Sequence, residues 1–178
     1  MISDSLATDR LILRNLMPED ATGAYLRWMN DPEVTRYLES RFRSFSREDL
    51  ADFIKQCNAD PSVLLYGICL REDGRHVGNI KIGPLDSHHR IGDVGIALGD
   101  PAVWGRGYAR EAIVALVVHG FGRLGLHKIT AGIYASNVGS RRAFLAAGFV
   151  EEGLRKDHYW FEGRWEDAVL MGKLSGAT

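Results

Sequence analysis

Between Asp100 and Ala112 the chain reads DPAVWGRGYAREA, with Gly105 and Gly107 set two apart. From there Ala109, Ala112, Ile113, Leu116, Val117, Phe121 and Leu124 recur at three- and four-residue steps. That recurrence predicts an amphipathic helix, and the glycines predict a tight turn where it begins. A helix opened this way leaves unpaired N–H groups beside the positive end of its macrodipole, an arrangement suited to an anion. The segments HRIGDVGIAL before it and HKITAGIYA after it read as strands. The fold must therefore carry a strand, glycine turn, helix and strand in succession.

The rest of the chain fits around that unit. TDRLILRNL alternates about Leu11 and Leu13 as a first strand, and ATGAYLRWMN reads as a helix. Asp31-Pro32 has the look of an N-cap and first helical residue, opening EVTRYL, with a loop from Arg41 to Phe45. Ser46 and Asp49 resemble a capping signal for a helix to about Cys57. SVLLYGICL and HVGNIKIGPL flank REDGR as a hairpin. Asn137 opens a short helix that Gly148 ends as its C′ residue. FVEEGLRKDHYWF and RWEDAVLMGKL close the chain as strands around Glu162-Gly163. This order predicts one α/β (α+β) domain with a mixed, mostly antiparallel central sheet flanked by helices.

Three readings of the glycine turn compete. The dinucleotide fingerprint requires a third glycine where Arg110 stands, and the arginine would obstruct close helix packing. The P-loop requires Gly-Lys-Ser/Thr, which is missing here. A plain helix start remains open beside an anion site. Arg106 and Arg110 in the first turn oppose the macrodipole, and Arg141 and Arg142 repeat the oddity after Asn137. An anion between the two helix starts would account for both pairs; surface arginines without partners are the alternative.

Composition removes other classes. A formal net charge of -1 gives no bulk attraction to nucleic acid or anionic membrane. The longest apolar run, Ala112 to Val118, is too short to span a bilayer. Cys57 and Cys69 form neither a disulfide framework nor a metal knuckle, so no metal is expected and a reducing cytoplasm is the simplest compartment. MISDSLATDR lacks the pattern of a signal peptide.

WGRGYAREA resembles motif A of the GNAT superfamily of N-acetyltransferases, with Trp104 at the first position as in its RimJ/RimL-type branch. NVGSRRAFLAAGF, Asn137 to Phe149, resembles that branch's motif B, and LILRNLMPEDA and NDPEVTRYL resemble its N-terminal region. The resemblance covers nearly the whole chain, so it implies one such domain over residues 1–178. It implies an acyltransferase that uses acetyl-CoA as donor and acetylates a primary amine by direct attack in a ternary complex. Protein N-termini, small amines and amino-sugar nucleotides are acceptors in that branch, and a homodimer is compatible with the family.

The resemblance also assigns roles. Backbone amides at Trp104, Gly105, Arg106, Gly107, Tyr108 and Ala109 would cradle the pyrophosphate, and Ile96, Ala97 and Leu98 would meet the pantetheine arm. Asn137 would approach the pantetheine or thioester, or act only as an N-cap; Arg141 or Arg142 could meet the adenosine phosphates. The general-acid tyrosine of many members is replaced by Phe144, and the branch suggests Ser140 as hydrogen-bond donor to the leaving sulfur. A serine bonded within its own helix is the plain reading of Ser140. Asp93 stands where the family often carries a base, and Tyr159 with His158 where the branch can carry a carboxylate. The acceptor would meet RYLESRFRSF and DHYWFEGRW, with Tyr37, Arg41 and His158 as contacts; Trp160 and Trp165 could equally pack the sheet. Arg36, Arg41 and Arg43 would suit an anionic acceptor. A catalytically silent CoA-binding module is the alternative function, kept open by Phe144.

Overall fold

The computed structural model describes residues 5–176. The outermost residues of the 1–178 domain, including the start of the MISDSLATDR stretch, lie outside them. Eight strands form one sheet: β1 (Leu6–Ala7), β2 (Leu11–Asn15), β3 (Leu64–Leu70), β4 (His76–Ile82), β5 (Ile91–Leu98), β6 (Lys128–Tyr134), β7 (Val150–Phe161) and β8 (Arg164–Leu174). Five α-helices accompany them: α1 (Gly23–Met29), α2 (Pro32–Thr35), α3 (Arg47–Ala59), α4 (Tyr108–Gly122) and α5 (Val138–Ala146).

The spatial order is β1-β2-β3-β4-β5-β6-β8-β7. Every neighbouring pair is antiparallel except β5 with β6, which α4 connects as a crossover. β3 is buried on both faces and alternates between two cores. Tyr66, Ile68 and Leu70 join Ile113, Leu116 and Val117 of α4 and Phe144 of α5, whereas Leu65 joins Tyr25 of α1 and Leu50 and Ile54 of α3. Helices therefore cover both sheet faces, as the mixed α/β pattern predicts.

The helix signals hold at their chemical details. Asp31 caps α2 by accepting from the Glu33 N–H, and Ser46 with Asp49 forms a reciprocal capping box on α3. Gly148, at φ +86, follows the C-cap of α5. Elsewhere the boundaries move. The helix opened by Asp31 stops at Thr35, and Tyr37 leaves it to stack on Phe161, ring centres 5.1 Å apart. The expected Arg41–Phe45 loop begins inside a 3-10 turn over Glu39–Phe42. Leu124 lies past α4, because the Leu126 N–H closes back on Gly120 and Gly125 turns at φ +64, although Leu124 still packs on the core. β1 was not expected; its two residues pair with Leu13 and Ile12.

Candidate active site

The sheet opens into a fork at its centre. β5 pairs with β6 only from Ile91↔Lys128 to Asp93↔Thr130. Beyond Asp93, β5 stays with β4 as far as Leu98, while β6 from Ala131 to Tyr134 stays with β8. The antiparallel β4–β5 ladder fixes which backbone groups face the gap. Asp93 accepts from Gly83 at 2.9 Å and Val77 accepts from Gly99 at 2.9 Å, so the odd-numbered residues of β5 bond β4. Ala97 thus spends its backbone on β4, and Ile96 and Leu98 turn theirs toward the fork. The Leu98 carbonyl is taken by Trp104 Nε1 at 2.9 Å, leaving both groups of Ile96 and the Leu98 N–H.

The glycine turn stands at the open end of β5. Asp100 caps a short 3-10 turn over Pro101–Val103 and pairs with Arg75. Gly105 and Gly107 both take the left-handed conformation, at φ +71 and +80, and Gly107 is the N-cap of α4. That conformation favours glycine. A Cβ on Gly105 would meet nothing within 4 Å, so the turn faces open space.

The two arginine pairs separate. Arg110 Nε donates to the Ala146 carbonyl at 3.1 Å, tying α4 to the end of α5. Arg141 is paired with Glu151, which raises its pKa above the usual arginine value. Arg106 and Arg142 are exposed, and among the described residues neither has a carboxylate partner. The expectation that an anion accounts for both pairs is thus narrowed to one arginine of each, Arg106 and Arg142, since Arg110 and Arg141 are engaged within the protein.

At the start of α5, Asn137 Oδ1 accepts from the Ser140 N–H at 3.1 Å, an N-cap bond. The Ser140 hydroxyl has no hydrogen-bond partner among the described residues. Phe144 points elsewhere: it is 2% exposed and packs edge-on against Phe149 in the core.

Asp93 lies at the crotch of the fork, where Thr130 Oγ1 donates to it at 2.8 Å. Its rim opens to solvent, but surrounding protein displaces water and pushes its pKa up, against lowering by Thr130 and the charge of Lys81. Tyr159 reaches toward the same gap, its hydroxyl 3.5 Å from where a Cβ on Gly132 would stand. Desolvation raises its pKa, helped by the charges of Glu39 and Asp93. Its ring stacks on Tyr134, ring centres 3.9 Å apart, and exposed His158 meets it edge-on at 4.8 Å.

Tyr134 and Glu39 were passed over in the sequence, which holds no signal for either. The Tyr134 hydroxyl donates to Glu39 and accepts from Arg41 Nη1 at 2.7 Å; desolvation, then Glu39, push its pKa up to about 12. Arg41 also donates to the carbonyls of Leu38 at 3.0 Å and Trp160 at 2.9 Å, so it bridges the 3-10 turn, β6 and β7. Tyr37 donates to the Ser136 carbonyl at 3.3 Å. Glu166, buried, holds the turn before α5 by accepting from Ser136 N at 2.6 Å and Oγ at 3.0 Å. Beside this cluster lies a cleft of about 660 Å³ lined by Met29, Arg36, Arg41, Arg43, Phe161 and Glu162 among others. Arg36 pairs with Glu162 at 2.8 Å and Arg41 approaches Glu39 at 3.6 Å, while Arg43 has no carboxylate ion-pair partner among the described residues. Trp160 and Trp165 pack on each other edge-on but stay 51% and 58% exposed, so they do not fill a core. Among the described residues no group of His, Cys, Asp and Glu is arranged to hold a metal ion, and no helix is long and apolar enough to cross a membrane.

Residues 10–150 match the family described as an acetyltransferase (GNAT) domain. The N-acetyltransferase p20 of Bacillus licheniformis is 30% identical over 173 residues, 96% of each chain. A crystal structure of spermidine N-acetyltransferase from Vibrio cholerae in complex with CoA and spermine has a TM-score of 0.83 at 23% identity, covering 94% of this chain and 96% of that one. Mycobacterium smegmatis RimJ in complex with CoA-disulfide has a TM-score of 0.82 at 23% identity, covering 97% and 88%.

Proposed function

The chain belongs to the GNAT family of acetyltransferases, an acyltransferase with acetyl-CoA as donor, and from that premise we propose that it acetylates a primary amine carrying an anionic group, in the manner of the RimJ/RimL-type branch, by direct attack in a ternary complex. The observation that carries the donor half is the fork: unspent backbone at Ile96 and Leu98 leads to two left-handed glycines at a helix start. Its residues fit a long, anion-tipped thioester. Ile96 and Leu98 bond the pantetheine amides, and Ala97 supports them from the β4 ladder. The amides from Trp104 to Ala109 take the pyrophosphate. Arg106 and Arg142, the arginine of each pair whose side chain is not tied to another part of the protein among the described residues, meet the adenosine phosphates.

Acetyl-CoA supplies an activated acyl group; the protein's part is alignment and proton handling. Asp93, its pKa raised by desolvation, takes the ammonium proton directly or through water, so that the nitrogen lone pair forms the new C–N bond. Tyr159 borders the same gap and orients the amine. The Ser140 hydroxyl, with no internal partner, donates a hydrogen bond to the sulfur as the C–S bond breaks, and the second proton of the attacking nitrogen passes to that thiolate, which leaves as the CoA thiol. Asn137 holds Ser140 in place through its cap bond.

The acceptor half rests on the cleft beside Tyr134. Three arginines against two paired carboxylates leave Arg43 uncompensated, which favours an anionic substituent and disfavours a polyamine such as the spermine of the Vibrio cholerae complex. Arg41 lines its wall, Tyr37 stacks on Phe161 of that wall, and His158 lies against Tyr159. Protein N-termini preceding acidic residues and amino-sugar nucleotides meet this description. Buried thiols at Cys57 and Cys69 support a reducing cytoplasmic setting, and one domain over 1–178 acts as the unit, with a homodimer as the assembly the family suggests.

The first test is thermal unfolding with and without acetyl-CoA, with ATP and NAD as controls. Ligand at about 100 times its Kd stabilises by roughly 2.7 kcal/mol. A shift with acetyl-CoA alone supports the donor reading; no shift overturns it. Turnover against amines with and without phosphate or carboxylate groups then tests the acceptor. Binding without any turnover would identify the silent module instead.

A further inference from the structure

Arg10, in the turn between β1 and β2, grips the glycine turn from a distance of about a hundred residues in sequence. Its Nε and Nη2 meet Glu111 Oε2 at 2.7 and 2.6 Å. Its Nη1 donates to the Arg106 carbonyl at 3.0 Å, and its guanidinium carbon sits 4.4 Å from the centre of the Tyr108 ring. The Arg10 backbone N–H and the Thr8 hydroxyl both donate to Glu111 Oε1, at 2.8 and 2.6 Å.

The bond to the Arg106 carbonyl fixes more than that atom. It belongs to the peptide joining Arg106 to Gly107, and in a planar trans peptide the C=O and N–H point opposite ways. Holding the carbonyl against Arg10 aims the Gly107 N–H away from it. With glycine at 107, whose φ changes when that peptide flips, little steric cost on that side otherwise prevents the flip. Glu111 completes the device. A carboxylate in the first turn of α4 would repel an anion at the helix start, but Arg10 and Thr8 hold it against the β1–β2 turn. Burial pushes the Glu111 pKa up, and the bonds from Thr8 and Arg10 outweigh it, so the group stays ionised. The planar guanidinium fork bonds carboxylate and carbonyl together here in one fixed geometry.

We propose that Thr8, Arg10 and Glu111 form a positioning clamp for the donor, presenting the Gly107 N–H to the pyrophosphate. The proposal rests on the reading of the turn as a pyrophosphate site. The test measures Kd by calorimetry for CoA and for pantetheine, which lacks the pyrophosphate, in wild type, Arg10→Met and Glu111→Gln. Glycine-selective ¹⁵N NMR follows the Gly107 amide on CoA addition. Arg10→Met is expected to weaken CoA about tenfold, the equivalent of one charge-assisted hydrogen bond. Pantetheine binding should not change, and the Gly107 resonance should lose its CoA-induced shift. Glu111→Gln should move both readouts the same way by less. Thr8→Ser should retain CoA binding that Thr8→Val loses, which keeps the question answerable if Arg10→Met fails to fold. Equal weakening of CoA and pantetheine would mean a general structural role and overturn the clamp; so would an unchanged Kd for CoA. Wild type binding CoA no better than pantetheine would instead overturn the pyrophosphate reading itself.

Discussion

Gly105→Ala separates backbone strain from ligand contact, because the fold supplies a matched control. Gly105 and Gly74 share φ +71, and a Cβ on either would meet nothing within 4 Å. Gly74 lies in the turn between β3 and β4. An L-residue in the left-handed region costs roughly 1–2 kcal/mol. For a chain of this length that lowers Tm by about 2–8 °C, and the two alanine variants should fall together. Their CoA affinities should part. A methyl on Gly105 stands in the open space where the phosphates approach, and relaxation to negative φ would turn the neighbouring amides away. Losing one hydrogen bond to a charged group costs about 1.5–3 kcal/mol, roughly a 10- to 150-fold rise in Kd. Differential scanning fluorimetry and calorimetry on wild type, Gly105→Ala and Gly74→Ala provide both quantities. If Gly105→Ala binds CoA as tightly as Gly74→Ala does, the phosphates do not approach this turn and the donor reading fails.

Three further outcomes are expected. Ser140→Ala should lower kcat with little change in KM for acetyl-CoA, since the hydroxyl is engaged only at the leaving sulfur; unchanged kcat removes Ser140 from the chemistry. The acidic limb of the pH–rate profile should lie above the ordinary aspartate value of 3.8 and disappear in Asp93→Asn; an unaltered limb excludes Asp93 as base. His76 is half-buried against Trp28 and Tyr25, with Nε2 donating to Asn79 Oδ1 at 2.7 Å. Desolvation holds its pKa below 6.5, so as pH falls through 6.5 the unfolded chain gains a proton that the folded chain refuses, and stability drops. His76→Gln should flatten Tm between about pH 7 and pH 5; identical slopes for the two proteins would contradict this.

The local features of the proposed donor half were legible because they are written in backbone chemistry. Positive-φ turns select glycine, helix starts select Asp31, Ser46 and Asn137 as caps, and a 3.6-residue period marks α4. Each is a local signal. Which β5 residues face the fork was not local: it depends on the phase of the β4 ladder, which spends Ala97 and spares Ile96. The arginines show the same limit. Arg141 and Arg142 are adjacent in sequence but point about 100° apart around a helix, and only the position of Glu151 on β7 decides that Arg141 is the one consumed.

The acceptor half resisted for a stronger reason. The side chains proposed for it come from the turn after α2, the end of β6 and the end of β7, joined by contacts such as Arg41 to Trp160 across 119 residues. The position of Tyr159 depends on a register shift: Arg155 pairs with Ala168, yet four residues on Tyr159 pairs with Glu166, only two residues back. The two extra residues are absorbed with Asp157 at φ +48, its N–H donating to Asp167 at 2.9 Å. In a regular ladder Tyr159 would face Arg164, out by the hairpin turn and away from Tyr134. Because the shift is of two residues, the alternation of faces is preserved, and a period-two reading of DHYWF cannot detect it. The bulge therefore absorbs the two residues that would otherwise carry Tyr159 past Glu166, and deleting Lys156 and Asp157 should give a regular ladder with Tyr159 still opposite Glu166 and CoA affinity, read by calorimetry, unchanged; a loss of CoA binding would contradict this.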